Sequence, residues 1–592
     1  MDITSQIKSL TNKALRELYG IDVKEAELTV NSTKVEFEGD YTIVLFSLVK
    51  ALKKSPEQAG KELGDYLSRQ HPAIFGSYNV IKGFLNIVVT DEYWINFLQT
   101  NFLAAQFGVK PSNGIKVIVE YSSPNTNKPI HLGHLRNNFL GWSIAEILKA
   151  SGYEVFKTCI VNDRGIHICK SMLAWQLFAG GQTPDDTNTK GDHFVGGYYV
   201  KFDEEYKRQI AELVGKGMTR EQAEKEAPIM KATQQMLVDW EAGQPEVIAL
   251  WKKMNGWVYK GFDETYKRIG TDFNKVYYES DTYLLGKRFV EEGLERNVFF
   301  KKDDGSVWID LSAEGLDEKL VLRKDGTSVY ITQDLGLADE KYGDFPYRDS
   351  IYVIGDEQNY HMKVLKLILQ KLKKPYADGI YHLSYGMVDL PTGRMKSREG
   401  TVVDADDLID EMVSIAAKHT EELGKVAGFT EPELQELHDM IGLGALKFFV
   451  LRVDPKKRMI FNPEESIDFH GFTGPFVQYT HARIKSILRK GKAERNYKLG
   501  SDGLLADERK LIILLEQFPV ILEQAAQDHD PSVIAIYIFN VAQAYNSFYS
   551  ALSVMNAESA EKKQLRLQLS EMTANVISFA MHLLGIKVPE RM

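Results

Sequence analysis

The segment "IKVIVEYSSPNTNKPIHLGHLRNN", Ile115 to Asn138, limits most tightly what this chain can fold into. "IKVIVEY" is an apolar run of strand length whose buried part ends at Glu120. Pro124 and Pro129 bar helix from the loop that follows, so a helix can start only near His131 to Leu135. "NNFLGWSIAEILKASG" continues that helix, and "YEVFKTCIVND" is strand-like again. Later, "SIYVIGDEQ" leads into the helical "YHMKVLKLILQKL". Repeated strand, loop and helix predict an α/β fold with a doubly wound parallel sheet.

The flanks read differently. Residues 1–110 alternate helical "IKSLTNKALRELYG" with strand-like "LTVNSTKVEFEG" and "GFLNIVVT", which predicts a small α+β domain. "VKPSNG" follows as a linker broken by Pro111 and Gly114. The sheet pattern fills 111–385 and is interrupted at about 170–270 by a polar, charge-rich helical insertion. A connecting region spans 386–442, and 443–592 is helical nearly throughout, the pattern of an all-α bundle. There is no internal repeat and no low-complexity tract.

Basic side chains number 72 and acidic ones 82, a net charge of −10, which excludes a wholly basic nucleic-acid coat but leaves room for a local basic face. The two cysteines, Cys159 and Cys169, fit neither a zinc pattern nor a disulfide framework and point to a reducing compartment. "MDITSQIKSLTNKAL" carries no basic-then-apolar signal, and no apolar run approaches the roughly 18 residues of a membrane span. A cytoplasmic chain with no membrane attachment is expected.

His131 and His134 stand three apart, on one face of a helix start, where free N–H groups and the helix dipole favour an anion. With Lys128 they make a candidate phosphate site, in a chain that has neither a GxxxxGK[ST] loop nor a GxGxxG after a strand. On their own, two such histidines more often cap and pack. A second cluster changes the weighing. "YGMVDLPTGRMKSREGTVV", Tyr385 to Val403, brings Arg394, Lys396, Ser397 and Arg398 into one glycine-flanked loop after a strand. "HLGH" and this loop, in this order around a parallel-sheet pattern, resemble the HIGH and KMSKS signatures of class I aminoacyl-tRNA synthetases, whose catalytic domain is of Rossmann type.

The resemblance is closest to the arginyl-tRNA synthetase family and covers nearly the whole chain. It rests on "EYSSPNTNKPIHLGHLRNN", "VNDRGIH", "RKDGTSVYITQDLGLADEKY", "VIGDEQNYHMK", "FTGPFVQYTHARIKSILRK" and the terminal "VPERM". The departure is "RMKSR", with arginine for the first lysine of KMSKS and Ser397 where the second would stand. In this family a lysine just before HIGH is thought to compensate, and Lys128 occupies that place.

The resemblance implies adenylation of L-arginine by ATP with Mg²⁺, then transfer to tRNA-Arg. Charge builds on phosphoryl oxygens in the first step, so the site needs positioned cations and N–H donors rather than a nucleophile. His131, Gly133, His134 and Lys128 would supply them on one side, and Met395, Lys396, Ser397 and Arg398 on the other. A guanidinium asks for carboxylates and planar acceptors. The resemblance places Tyr330 and Asp334 on it, with Glu120, Asn125 and Gln358 holding the amino acid's other polar groups. So distinctive a substrate needs no editing site. "RIKSILRKGKAERNYK", Arg483 to Lys498, is a basic stripe fit for a nucleic-acid backbone. Phe476, Tyr479, Arg483 and Met592 are placed by resemblance near the anticodon loop, and the first 110 residues near the outer corner of the tRNA. A monomer is expected.

Two other classes share parts of this pattern. A HIGH-type nucleotidyltransferase acting on small molecules would have no need of a helical C-terminal domain with a basic stripe. A catalytically dead tRNA-binding relative would not need the intact "HLGH" and Asp334.

Overall fold

Five parallel strands form the centre of the molecule, in the order Ile380–Tyr385, Asp349–Gly355, Lys116–Glu120, Glu154–Val161 and Lys275–Tyr278. The structure is a computed structural model and describes residues 2–592 apart from 35, 390–402, 423–427, 496 and 498–502. Val117, Ile118 and Val119 are at most 1% exposed, as a central strand covered on both faces requires. From Lys116–Glu120 the chain builds outward to one edge, then returns to lay Asp349–Gly355 on the other side. The order reverses between these two strands, which opens a crevice at their carboxyl ends.

The helix Leu132–Ala150 follows the first strand and is buried along most of its length. Gly141 makes its close approach possible, since a Cβ there would come within 2.3 Å of the Tyr121 side chain. On its far side Ser143 Oγ donates to the Leu583 carbonyl (2.8 Å), joining this helix to the end of the C-terminal bundle.

Between the strands Glu154–Val161 and Lys275–Tyr278 the crossover swells into a helical unit containing Ile166–Phe178, Gly191–Gly215, Pro228–Glu241 and Pro245–Ile269. Pro228 and Pro245 open their helices at the first turn, where no N–H is needed, and Gly270 (φ 69°) closes the last. A small antiparallel sheet, Phe300–Lys301, Val307–Ile309 and Lys319–Leu322, precedes the helix Tyr330–Asp344 and shares a second hydrophobic core with that helix and one face of the central sheet. Its strands are too short for a periodic signal, and it was not among the sequence expectations.

The N-terminal region packs the helices Ile3–Tyr19 and Pro56–Gln70 with a four-stranded antiparallel sheet ordered Val30–Ser32, Tyr41–Val44, Phe84–Val89, Phe75–Ile81. It docks on the C-terminal bundle, where the Arg509 guanidinium binds Asp40 (2.5 Å) and Asp91, and Ile3 N donates to Glu516 Oε1 (2.7 Å). Inside the bundle, Glu508 accepts from Lys562 Nζ (2.6 Å) and Arg566 Nε (2.8 Å), so a fully buried carboxylate is answered twice.

Candidate active site

At the crevice the first strand ends in a strained turn. Ser122 is fully buried and held at φ 62°, a left-handed conformation costly for a residue with a side chain. Two helix residues hold it there. Ser122 N donates to Asn137 Oδ1 (2.6 Å), and Asn138 Nδ2 donates to Ser122 Oγ (3.2 Å). Asn137 Nδ2 also donates to the Val353 carbonyl (2.6 Å), so one amide ties turn, helix and neighbouring strand together. This accounts for the asparagines of "HLRNN".

His131 is the N-cap of the helix, with extended backbone (φ −132°, ψ 173°). Gly133 N donates to its Nδ1, and its own N–H donates to His134 Nδ1, both at 3.2 Å. The rings lie 3.9 Å apart, centroid to centroid. Both Nδ1 atoms are therefore acceptors, which leaves Nε2–H as the proton-bearing edge of each ring. Burial, reinforced by Lys128, pushes His131 down to about 3; burial, His131 and Lys128 hold His134 well below the usual histidine range. The pair consists of neutral N–H donors. Desolvation therefore favours the neutral rings over the cationic form the sequence had also allowed. Lys128 is half-buried and its ammonium lowered by burial, with no carboxylate paired to it among the described residues.

Two anchors flank 390–402. Before it, Gly386 passes so close to the Lys457–Arg458 backbone that a Cβ would lie 2.6 Å from Arg458 N. Arg136, fully buried, donates to the Pro455 (3.2 Å) and Lys457 (2.8 Å) carbonyls of that same stretch. After it, the Val403 carbonyl accepts from Leu132 N (3.2 Å) and Ala405 N donates to the Ile130 carbonyl (3.0 Å), on either side of His131. Arg394, Met395, Lys396, Ser397 and Arg398 lie outside the described residues.

Of the residues expected to hold the substrate, Tyr330 and Asp334 stand on the helix Tyr330–Asp344, and Glu120 ends the central strand. Asp334 faces His361, whose Nε2 is 2.5 Å from Asp334 Oδ2 and whose pKa that hydrogen bond raises. Asp334 is 40% exposed, Tyr330 is 75% exposed at the start of the same helix, and Gln358 lies on the open rim. Asn125 is half-buried and pairs in a parallel bridge with Asn162. Glu120 is buried in an ion pair with Lys341, two turns beyond Asp334 and itself fully buried, with its Nζ 4.3 Å from the Tyr352 ring centre. Lys341 was missed from sequence, since a lysine in "ADEKY" looks like a solvated helix position. Glu279 was missed as well. It starts the turn after the strand Lys275–Tyr278, and burial, countered by Arg164 and reinforced by Asp163 and Asp334, pushes it up to about 7. Its signal was its place at a strand's carboxyl end.

In the bundle, Phe476 packs at a tilt of 45° against Phe539 (5.1 Å between ring centres), and Arg483 lies over the Tyr479 ring (4.9 Å) with Nη1 donating to Asn546 (2.5 Å). Met592 is half-buried against the same core. Phe476 is thus largely spent on packing, while Tyr479 and Arg483 form a fixed pair at the start of the basic stripe. Lys490, Lys492 and Arg495 continue that stripe, exposed.

A parallel sheet with a central switch point, a histidine-capped helix at its crevice and a helical C-terminal bundle define a class I aminoacyl-tRNA synthetase. Residues 98–462 match the family described as tRNA synthetases class I (R), catalytic domain; 477–592 match the DALR anticodon binding domain, and 5–89 the arginyl tRNA synthetase N-terminal domain. The chain is 52% identical over 597 residues to arginine–tRNA ligase of Amoebophilus asiaticus, covering 100% of both, and 53% identical to that of Flavobacterium psychrophilum, covering 98% of each. Its fold superposes on Thermus thermophilus arginyl-tRNA synthetase with a TM-score of 0.79 at 25% identity over 100% of both chains. The chain belongs to the arginyl-tRNA synthetase family.

Proposed function

We propose that the chain joins L-arginine to tRNA-Arg in two steps. The arginine carboxylate attacks the α-phosphorus of ATP; a P–O bond forms and pyrophosphate leaves. The terminal ribose hydroxyl of the tRNA then attacks the mixed anhydride and AMP leaves. The observation that carries this reading is the mutual cap of His131 and His134, which fixes two neutral Nε2–H donors at the switch point. They, the Gly133 end of the helix and the Lys128 ammonium stabilise charge on the phosphates, most strongly in the transition state. Met395, Lys396, Ser397 and Arg398 complete this set on the family resemblance.

Mg²⁺ neutralises phosphate charge when bound. The one His/Asp group with metal-ligand spacing among the described residues, Asp192, His193 and Asp406, already holds the Lys190 ammonium and does not fit the ion. Asp334 and Glu279 face the guanidinium, with Tyr330 beside them; Glu120, Asn125 and Gln358 hold the remaining polar groups. Residues 1–110 and 443–592 hold the tRNA, the latter through Tyr479, Arg483, Met592 and the edge of Phe476. The reading extends to a cytoplasmic monomer; both cysteines are free and buried, and no helix among the described residues is long and apolar enough to cross a membrane.

The test is ATP–pyrophosphate exchange with arginine, in the presence and absence of tRNA. Exchange with arginine and tRNA present is expected. No exchange in either condition overturns the adenylation reading.

A further inference from the structure

The helical insertion carries no group assigned to the chemistry, yet it grips the residues beside His131. Lys190, just before the helix Gly191–Gly215, sets Nζ 2.7 Å from Asp406 Oδ2, 3.1 Å from Asp192 Oδ2 and 2.5 Å from Thr265 Oγ1. His193 Nε2 lies 3.1 Å from the same Asp406 oxygen and 3.3 Å from Asp404 Oδ2. Asp192 is fully buried, and Asp404 and Asp406 are 12% and 18% exposed. In so little water these ion pairs are screened far less than surface ones. Lys190, Asp192 and His193 belong to the insertion, as does Thr265; Asp404 and Asp406 stand at the start of the helix Ala405–Glu422.

Asp404 turns this charge contact into backbone position. Its Oδ1 accepts from Asp406 N (2.8 Å) and Asp407 N (3.3 Å), capping the helix, and it bridges His131 in antiparallel register. The residues on either side of it hold the chain around His131, Val403 through Leu132 N and Ala405 through the Ile130 carbonyl. The strip beside the histidine cap is therefore fixed from behind by the insertion. An N-cap with extended dihedrals has no helical bonds of its own on its outer side, so its placement depends on such neighbours.

We propose that Lys190, assisted by His193, is a positioning residue for adenylation: through Asp406 and Asp404 it sets the strip Val403–Ala405 that holds His131 and, with it, the His131–His134 donor pair. This rests on the reading of those histidines as phosphate donors. A donor displaced by a fraction of an ångström loses transition-state contact before it loses substrate affinity.

The experiment measures arginine-dependent ATP–pyrophosphate exchange, with tRNA present, for Asp406→Asn, Asp406→Glu, His193→Gln, Lys190→Met and the Lys190→Met/Asp406→Asn double variant. Asp406→Asn is expected to lower kcat about tenfold to a hundredfold while the KM for arginine stays within about twofold. Asp406→Glu recovers part of the loss, and the double variant is no worse than the poorer single one, since both cut one linkage. Asp410→Asn serves as the control. Asp410 pairs with Arg268 (2.5 Å), joining the same helix Ala405–Glu422 to the insertion helix Pro245–Ile269, but is 69% exposed and six residues on from Asp404, and its loss leaves kcat unchanged. Where Asp406→Asn does not fold, His193→Gln shows a smaller loss confined to kcat. Unchanged kcat in both Asp406→Asn and His193→Gln overturns the proposal, and so does an equal loss in Asp410→Asn, which would mark plain interface stability. If His131→Ala keeps full activity, the donor reading itself fails; if His131→Ala is impaired while the Asp406 and His193 variants are not, only the clamp fails.

Discussion

His131 and His134 cap each other, the amide of one donating to Nδ1 of the other at 3.2 Å with their rings 3.9 Å apart. That amide and the Gly133 amide, which donates to His131 Nδ1 at 3.2 Å, hold each ring as its Nε2–H tautomer. Replacing either by alanine should reduce adenylate formation by about two to three orders of magnitude, the usual loss of about 3 kcal/mol for one preorganised donor, with a smaller effect on arginine affinity. Single-turnover rates of adenylate formation measure this. Near-normal rates in both variants would reduce the pair to a packing role.

The same burial sets a pH prediction. Burial pushes His131 down to about 3 and holds His134 well below its ordinary value, so both are expected to be neutral from pH 5 to 8. Nitrogen-15 NMR should find both rings as Nε2–H tautomers across that range. In the unfolded chain these histidines take up protons near pH 6.5, whereas the folded protein resists doing so. Stability is therefore complete above about 6.5 and declines as pH falls toward 3. A histidine at either position that titrates near 6.5 in the folded protein would contradict the assignment.

Specificity should follow the carboxylates. Asp334 is already partnered by His361 and is 40% exposed, so Asp334→Asn should cost about two orders in kcat/KM for arginine, mostly through KM, less than a sealed charge would. Discrimination against citrulline, the neutral analogue, should shrink in the same variant. Glu279, held near 7, should become anionic as pH rises through that value, lowering the KM for arginine; Glu279→Gln should flatten this dependence. Unchanged arginine-to-citrulline ratios in both variants would place the guanidinium elsewhere.

Lys128 tests the departure from the KMSKS pattern. Its ammonium is half-buried with no paired carboxylate among the described residues, a state suited to an incoming phosphate. Lys128→Ala should slow adenylation more than Ser397→Ala, and Ser397→Lys in the Lys128→Ala background should restore part of the rate. A fully additive double variant, with no restoration, would remove the compensation.

Much of this was legible in the sequence because it was carried by local rules. The strand ending at Glu120, the two loop prolines and the helix beginning at His131 are set by periodicity and by proline's missing N–H. What was not legible depended on contacts between distant segments. Nothing in "ADEKY" tells that Lys341 is buried against Glu120, and nothing in "TKGDHF" tells that Lys190 meets Asp406, more than two hundred residues on. Glu279 and His361 likewise gain their environment only when the strand ends converge. The short strands near Val307 carry too few residues for a pattern of period two.

The charging reaction itself gives the most direct measurement: aminoacylation of total tRNA with each of the twenty amino acids, supplied with ATP and Mg²⁺. Arginine alone should be attached, and only to tRNAs with arginine anticodons. Attachment of a different amino acid, or none with any, would contradict the assignment of the crevice to arginine adenylation.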